Sequence, residues 1–545
     1  MLSAEKAPTE ASGRSTRMSA KRRPASGPAP TYVLMGVDIG TYSAKGVVCR
    51  PDGSVLAEAR VEHELSVPRP GYAEHDADGV WWHDFTGISK ELMAALPPGA
   101  RVAAVAVSAC GPCLLPVDKS GRPLRPGILY GIDARAGSQI AELEARCGVR
   151  EILRLSGTRL TSQSVGPKIL WLRQHEPDVF ASTARFLTAT SYVVYRLTGE
   201  YMVDHHQSSY FAPFIDLRRG QWDLRFADGL LSPSVLPAIR WSDETVGHVT
   251  PGAATETGLL AGTPVIAGTT DGLAEAISVG IIRPGTLMVM YGSTLGLVTL
   301  LERPRRAPNL WLSEGAFAGE YVLAGGLSTA GAITTWFRRE FARELPQETG
   351  AEIGAAHSTL SGEAEQSPIG SRGLLMLPYF SGERAPFNDP QARGVIVGLT
   401  LTHSRGDIYR SVLEATALGV RHNLEEMRRS GAVINRVCAV GGGAGSRLWP
   451  RIVSDATGLT QEIPARTTGA SYGDAFLAGL SIGLVSDKAA LLRDWVQIVD
   501  RVEPDRGRGA RYDDLYQLYR RLYRTTRSVV HDLGMEADEP RWPVQ

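Results

Sequence analysis

Five cysteines in 545 residues are too few for the disulfide framework of a small secreted protein, and their number is odd. No stretch approaches the roughly 20 apolar residues that a membrane-spanning helix needs. Net charge is missing as well: Lys+Arg and Asp+Glu are equal at 58 each, which removes the electrostatic case for a nucleic-acid or anionic-membrane partner. The Rossmann pattern G-x-G-x-x-G does not follow the first strand, so a dinucleotide fold is not indicated. His205-His206 stands beside Asp204 without a second ligand pair at a metal-binding spacing, and reads as an exposed or substrate-side loop. These absences leave a cytoplasmic globular protein, of which 43% of residues are hydrophobic and 21% charged.

The length calls for two or more domains. Residues 1–30 are rich in Ala, Pro, Ser and Gly with an excess of Lys and Arg; they read as a disordered tail, since no apolar run follows the basic residues. A strand from Tyr32 to Val37 then leads into Asp38-Ile-Gly-Thr-Tyr-Ser-Ala-Lys45, with further strands at Gly46–Cys49 and Val55–Val61. The same device recurs as Thr286–Met290, the turn Tyr291-Gly-Ser-Thr294, and Leu295–Leu300. Two hairpins of one style suggest two related domains facing a shared cleft, with the boundary near Ile282. Ser404-x-x-Asp407 reads as a capping box opening a helix, and Tyr512, Leu515, Tyr516, Tyr519, Leu522 and Tyr523 form one packing face of another.

Three segments carry chemistry. In the first hairpin Gly40 allows close backbone approach, the Thr41 and Ser43 hydroxyls can donate to phosphate, Lys45 adds positive charge, and Asp38 can hold a metal. In the second, a buried strand ends in Gly268-Thr-Thr with Asp271 directly after it. A carboxylate there can take a proton from an attacking hydroxyl; it can equally cap the helix expected over Leu273–Val279. In the third, Gly441-Gly442-Gly443-Ala444 follows a strand and lets a flat ligand lie on backbone, with Trp449 arguing for order.

Taken with Leu377-Pro-Tyr-Phe-Ser-Gly-Glu-Arg-Ala-Pro-Phe-Asn-Asp-Pro390, and with Gly394-x-Ile-x-Gly-Leu399 followed by Asp407-Ile-x-x-Ser-Val-Leu-Glu414, these motifs resemble the FGGY carbohydrate kinase family from about Val33 to Asp500. Tyr379 to Arg384 and Pro167-Lys-Ile-Leu-Trp171 are most similar to its xylulose kinase branch. The resemblance implies an α/β fold of two ribonuclease H-like (actin-like ATPase) domains around a central cleft: 31–282 for the sugar and 283–500 for the nucleotide, then a C-terminal helix and tail over 501–545. It implies ATP and Mg²⁺ as cofactors and a small sugar as substrate, a pentulose such as xylulose or another ketose or polyol. A catalytically silent relative is the alternative of another class, and a homodimer stays open. It makes Asp271 the catalytic base and Asp38 the organiser of the metal. Gly40, Thr41, Ser43, Lys45, Gly292, Ser293 and Thr294 would line the phosphate path, and Gly441 to Ala444 would hold the nucleoside. Asp133 and Arg135 match a substrate-side Asp-x-Arg.

The sugar side departs from that pattern. Gly111-Pro112 stands where xylulose kinases carry a Met-His pair, and Tyr130 replaces a Trp before Asp133. Cys110-Gly-Pro-Cys113 also has the form of a thioredoxin redox motif. Leu114-Leu-Pro116 and the turn at Asp118 to Gly121 then read as strand and turn, leaving no room for the helix such chemistry needs.

Overall fold

The computed structural model describes residues 31–346, 349–465 and 468–538; the tail expected over 1–30 lies outside them. Two seven-stranded sheets organise the chain. In the first, β1 (Thr31–Ile39) pairs antiparallel with β2 (Ser43–Cys49), which pairs with β3 (Val55–Glu62). On its other side β1 runs parallel to β4 (Ala100–Ala109). β5 (Thr245–His248), β6 (Pro264–Ile266) and β7 (Thr269–Thr270) complete the sheet, with β6 and β7 both parallel to β4.

The second sheet repeats this plan. β8 (Gly285–Tyr291) pairs antiparallel with β9 (Leu295–Leu301), and β10 (Trp311–Glu314) and β11 (Tyr321–Leu327) extend that side. β12 (Ile434–Val440) runs parallel to β8, followed by β13 (Gln461–Pro464) and β14 (Ile498–Val502). The first strand of each hairpin therefore has an antiparallel neighbour on one side and a parallel one on the other. Both hairpin turns sit at the carboxyl end of a parallel pair, where open α/β sheets place their ligands.

Six helices matter for the site. α1 is His83–Ala94, α2 Asp271–Ser278, α3 Arg405–Arg429, α4 Leu448–Thr457, α5 Ala470–Ser481 and α6 Arg506–Asp538. α3 opens with the expected capping box, Ser404 Oγ accepting from the Asp407 amide and the Asp407 carboxylate accepting from that of Ser404. α2 differs from its expected start. Thr270 is the cap, its Oγ1 accepting from the Leu273 amide at 3.3 Å, and Asp271 is the first helical residue. The carboxylate of Asp271 is thereby left free for the cleft.

α2 and α5 join the two sheets. One buried cluster holds Leu34 and Val47 of the first sheet, Met288 and Val440 of the second, Leu273 and Ile277 of α2, and Ala475 and Phe476 of α5. α5 lies so close to β1 that a Cβ on Gly36 would stand 1.9 Å from the Ser471 carbonyl oxygen. The stripe on α6 is packing, as its spacing indicates: Tyr512, Leu515, Tyr516 and Tyr519 are buried, with Leu522 and Tyr523 partly so. It fastens the Leu377–Pro390 segment through a Tyr519–Tyr379 hydroxyl pair at 2.6 Å and through Tyr523, which donates to Asp389 at 2.7 Å. His205 and His206 do not form an exposed loop. His205 stacks on Trp241 and pairs with Glu314, while His206 is buried against Ser313. Among the described residues no helix is long and apolar enough to cross a membrane.

Candidate active site

Asp38 ends β1, opposite Lys45 on β2 and Ser108 on β4. Thr269 pairs with that same Ser108 and Thr270 with Ala109, so β7 delivers Asp271 to the same sheet end, on the far side of β4. Desolvation pushes the Asp38 carboxyl up to about 6, with Lys45 and the Ser108 hydroxyl pulling the other way. Burial pushes Asp271 up to about 8, and the charge of Asp38 adds to it. Glu275, one helical turn beyond Asp271, is raised to about 7 by burial and by Asp38. Both other acids thus feel the charge of Asp38, which has Lys45 as its cationic neighbour. Its hard oxygens suit a divalent cation held through water beside phosphates, although among the described residues no three such acids stand close enough to ligate one ion directly.

A further acid stands behind them. Asp474 on α5 is fully buried and its Oδ1 has no partner, while its Oδ2 lies 2.6 Å from Ser108 Oγ and accepts the Ser108 amide at 3.1 Å. Ser108 Oγ is also 3.2 Å from Asp38 Oδ1. One hydroxyl hydrogen cannot serve two carboxylates, so both contacts are hydrogen bonds only if one acid carries a proton. Among the described residues no cation stands beside Asp474, and burial holds its carboxyl well above the usual range. It is the protonated member. Sequence reasoning missed Asp474; the available signal was an acid amid the small and apolar residues of Ala470–Leu480.

The segments expected to hold the nucleotide meet at a cavity of about 900 Å³ lined by Gly292, Ser293, Gly442, Gly443, Arg447 and Trp449 among others. Gly441 turns there with φ +85°, and a Cβ on it would stand 2.7 Å from the Tyr291 carbonyl oxygen, so the turn requires glycine. Ala444 continues the turn as part of a short 3₁₀ segment, and Thr294 lies exposed at the tip of the second hairpin.

On the sugar side the residues divide. Tyr130 reaches the first hairpin, its hydroxyl 3.0 Å from Thr41 Oγ1, and its carbonyl is held by the buried ammonium of Lys168 at 3.0 Å. Gly111 packs against Thr270, with Pro112 buried next to it. Asp133 and Arg135 do not present free groups to the cleft. Asp133 takes the Ala73 amide at 2.7 Å and Arg135 at 2.7 Å; Arg135 also pairs with Glu74 and lies over the rings of Tyr72 and Trp171. Their charges are spent on one another, behind the wall that carries Tyr130. Cys110 and Cys113 are buried free thiols with sulfurs 3.9 Å apart, followed by the strand Leu115–Val117 and no helix.

Comparison with known proteins matches residues 33–278 to the N-terminal domain, and 287–482 to the C-terminal domain, of the FGGY family of carbohydrate kinases. The chain is 27% identical over 506 residues to a xylulose kinase of Staphylococcus epidermidis, covering 92% of this chain and 98% of that one. A gluconokinase of Bacillus subtilis is 25% identical over 507 residues, covering 91% and 96%. The crystal structure of xylulose kinase from Rhodospirillum rubrum superposes with a TM-score of 0.84 at 32% identity, over 92% of this chain and all of that one.

Proposed function

Since the chain belongs to the FGGY family of carbohydrate kinases, we propose that it transfers the terminal phosphoryl group of ATP to a hydroxyl of a pentulose such as xylulose, with Asp271 as the base. The observation that carries this reading is the convergence of Asp271, Asp38 and Lys45 at one sheet end, beside a hydrogen-bonding hairpin turn. In this reading residues 31–282 hold the sugar and 283–500 the nucleotide. The five cysteines, none of them in a disulfide, support a cytoplasmic setting.

The nucleoside would lie in the cavity over Gly442 and Gly443, with its phosphates running between the two hairpin turns. The acceptor hydroxyl forms a bond to the terminal phosphorus while the bond from that phosphorus to the bridging oxygen of ADP breaks. The hydroxyl proton passes to Asp271 Oδ. The Asp271 carboxylate is partly stripped of water by burial, which raises its affinity for that proton. Its Oδ1 accepts the Gly272 amide at 2.8 Å, which fixes the side chain's direction. Asp38, with Ser108 behind it, would hold Mg²⁺ through water; the ion supplies charge neutralisation on the phosphates. The wall formed by Tyr130 and Thr41 would exclude water from the transfer path.

A kinase of the same kind for another ketose or polyol is favoured by one observation. Gly111 carries no side chain and Pro112 no donor, so that stretch of the wall reads an acceptor by shape. The test is ADP release by the purified protein against a panel of ketoses, aldoses, polyols and sugar acids. Sugar-dependent release should fall by about 10²–10⁴-fold in Asp271→Ala. Release unaffected by that substitution in a folded variant would remove Asp271 from its role, and ATP binding with no stimulation by any acceptor would favour the silent relative.

A further inference from the structure

The two hairpin turns are held from behind by different chemistry. In the second, the Gly292 carbonyl accepts the Gly331 amide at 3.0 Å, and the Ser293 carbonyl accepts the amides of Ala330 and Ala332 at 2.9 and 3.0 Å. A helix start thus ties down the carbonyl side. No helix stands behind the first turn; two imidazoles do. His63 Nε2 lies 3.2 Å from the Gly40 carbonyl oxygen and His75 Nε2 lies 3.2 Å from that of Thr41. The His63 backbone amide donates to the Tyr42 carbonyl at 3.0 Å. Three successive carbonyls are therefore occupied, and among the described residues no acceptor takes the Thr41 or Tyr42 N–H.

The partners of the His75 ring fix its proton. Trp81 Nε1–H donates to His75 Nδ1 at 3.1 Å, which leaves Nε2 as the His75 donor. Burial keeps that ring neutral, holding it down to about 4. His63 Nδ1 lies 2.7 Å from Oδ2 of the buried Asp84 on α1, so each of its ring nitrogens faces an oxygen. The other Asp84 oxygen meets the exposed His83 ring at 3.2 Å, and the His63 and His75 rings stand edge to face at 5.0 Å. None of these groups lines the cavity over Gly442, and nothing in the phosphoryl-transfer chemistry above uses them.

We propose that His63 and His75 are positioning residues for phosphoryl transfer, clamping the carbonyls of Gly40 and Thr41 so that the amides of Thr41 and Tyr42 face the terminal phosphate, with Asp84 anchoring His63. The inference rests on the kinase reading. Its physical core is a peptide orientation. Gly40 leaves the turn conformationally permissive, and a peptide rotated about this point would present a carbonyl dipole to the phosphate oxygens instead of an N–H.

The test is calorimetric titration with two probes, adenosine and a non-hydrolysable ATP analogue with Mg²⁺. Proteins compared are the wild type, His63→Phe, His75→Phe and His75→Gln. Each Phe variant should keep wild-type adenosine affinity and lose about tenfold for the triphosphate, the scale of one hydrogen bond to a placed group. His75→Gln, whose amide restores a donor, should recover most of that loss. Phe variants that bind both probes like the wild type overturn the inference, and so does an equal loss for adenosine and triphosphate, which marks a merely structural role. If a Phe variant does not fold, Asp84→Asn decides: it keeps both rings and removes the counter-charge, so a selective triphosphate loss supports the clamp and wild-type binding overturns it. Wild-type protein that binds neither probe overturns the kinase reading itself, whereas wild-type binding with indifferent variants overturns the clamp alone.

Discussion

Replacing Asp271 by Asn should make the nucleotide-free protein more stable, and the gain should depend on pH. The carboxyl moves from an ordinary value of 3.8 to about 8 on folding. Below pH 4 it is protonated in both states and contributes nothing. As pH rises toward 8 the unfolded chain ionises freely while the folded one resists, so stability drains away, and above 8 the loss is constant. At ~1.4 kcal/mol per unit the ceiling is ~6 kcal/mol. The side chain lines a solvent-reaching cleft, so water screens it and about 1–3 kcal/mol is the expected size. In a domain of ~200 residues each kcal/mol moves Tm by about 2–4 °C. Scanning calorimetry in EDTA at pH 5 and pH 8.5 is the assay. The Asn variant should melt close to the wild type at pH 5 and several degrees higher at pH 8.5. The same offset at both values, or a wild type that gains on the variant as pH rises, would refute the placement of Asp271 in a desolvating, negatively charged site.

Three more perturbations separate roles that geometry suggests. Ser108→Ala removes a hydrogen bond that lowers the Asp38 carboxyl, so the Mg²⁺ concentration for half-maximal rate should rise several-fold, by the ~1 kcal/mol of one such bond. Asp474→Asn, which keeps a neutral group of the same shape, should stay within about threefold of the wild-type rate, because charge-neutral exchange leaves electrostatics intact; a loss of hundreds-fold would show Asp474 acting as a carboxylate. Arg135→Met should cost about 3–5 kcal/mol of stability by stranding Asp133 and Glu74 in the interior. A stable Arg135→Met protein whose only defect is a raised KM for sugar would return the Asp-x-Arg pair to the substrate.

What the sequence disclosed follows the range of the interactions involved. The hairpins at Asp38–Lys45 and Tyr291–Thr294, and the cap at Ser404, are settled by residues within one turn of each other, and strand alternation with small turn residues reports them directly. Asp271 could be placed at a helix start, yet not told apart from the cap, because Thr270 and Asp271 are both good caps. Only the tertiary direction of the strand assigns the cap to Thr270. Asp133 and Arg135 show the converse limit. Their spacing shows an acid beside a base, but whether a carboxylate meets a ligand or the Ala73 amide depends on a loop 60 residues away in the chain.

Asp474 marks where sequence runs out. Its partner Ser108 lies 366 positions earlier, and neither residue alone departs from ordinary helix or strand content. Their meeting depends on α5 crossing from the second half of the chain to pack on the first sheet. That approach requires Gly36 and Gly473, where a Cβ would strike the Ser471 and Ala274 carbonyl oxygens at 1.9 and 2.1 Å. Once α5 is seated, Asp474 is fully buried and burial holds its carboxyl well above the usual range, which favours the neutral acid. A buried charge would cost several kcal/mol, whereas a neutral carboxyl can bond to Ser108 and leave that serine's own hydrogen for Asp38. The Asp38 carboxylate is therefore oriented from behind by a group that adds no negative charge of its own. That is the arrangement a site must have if it is to gather two acids, a glutamate and a polyphosphate around a single lysine.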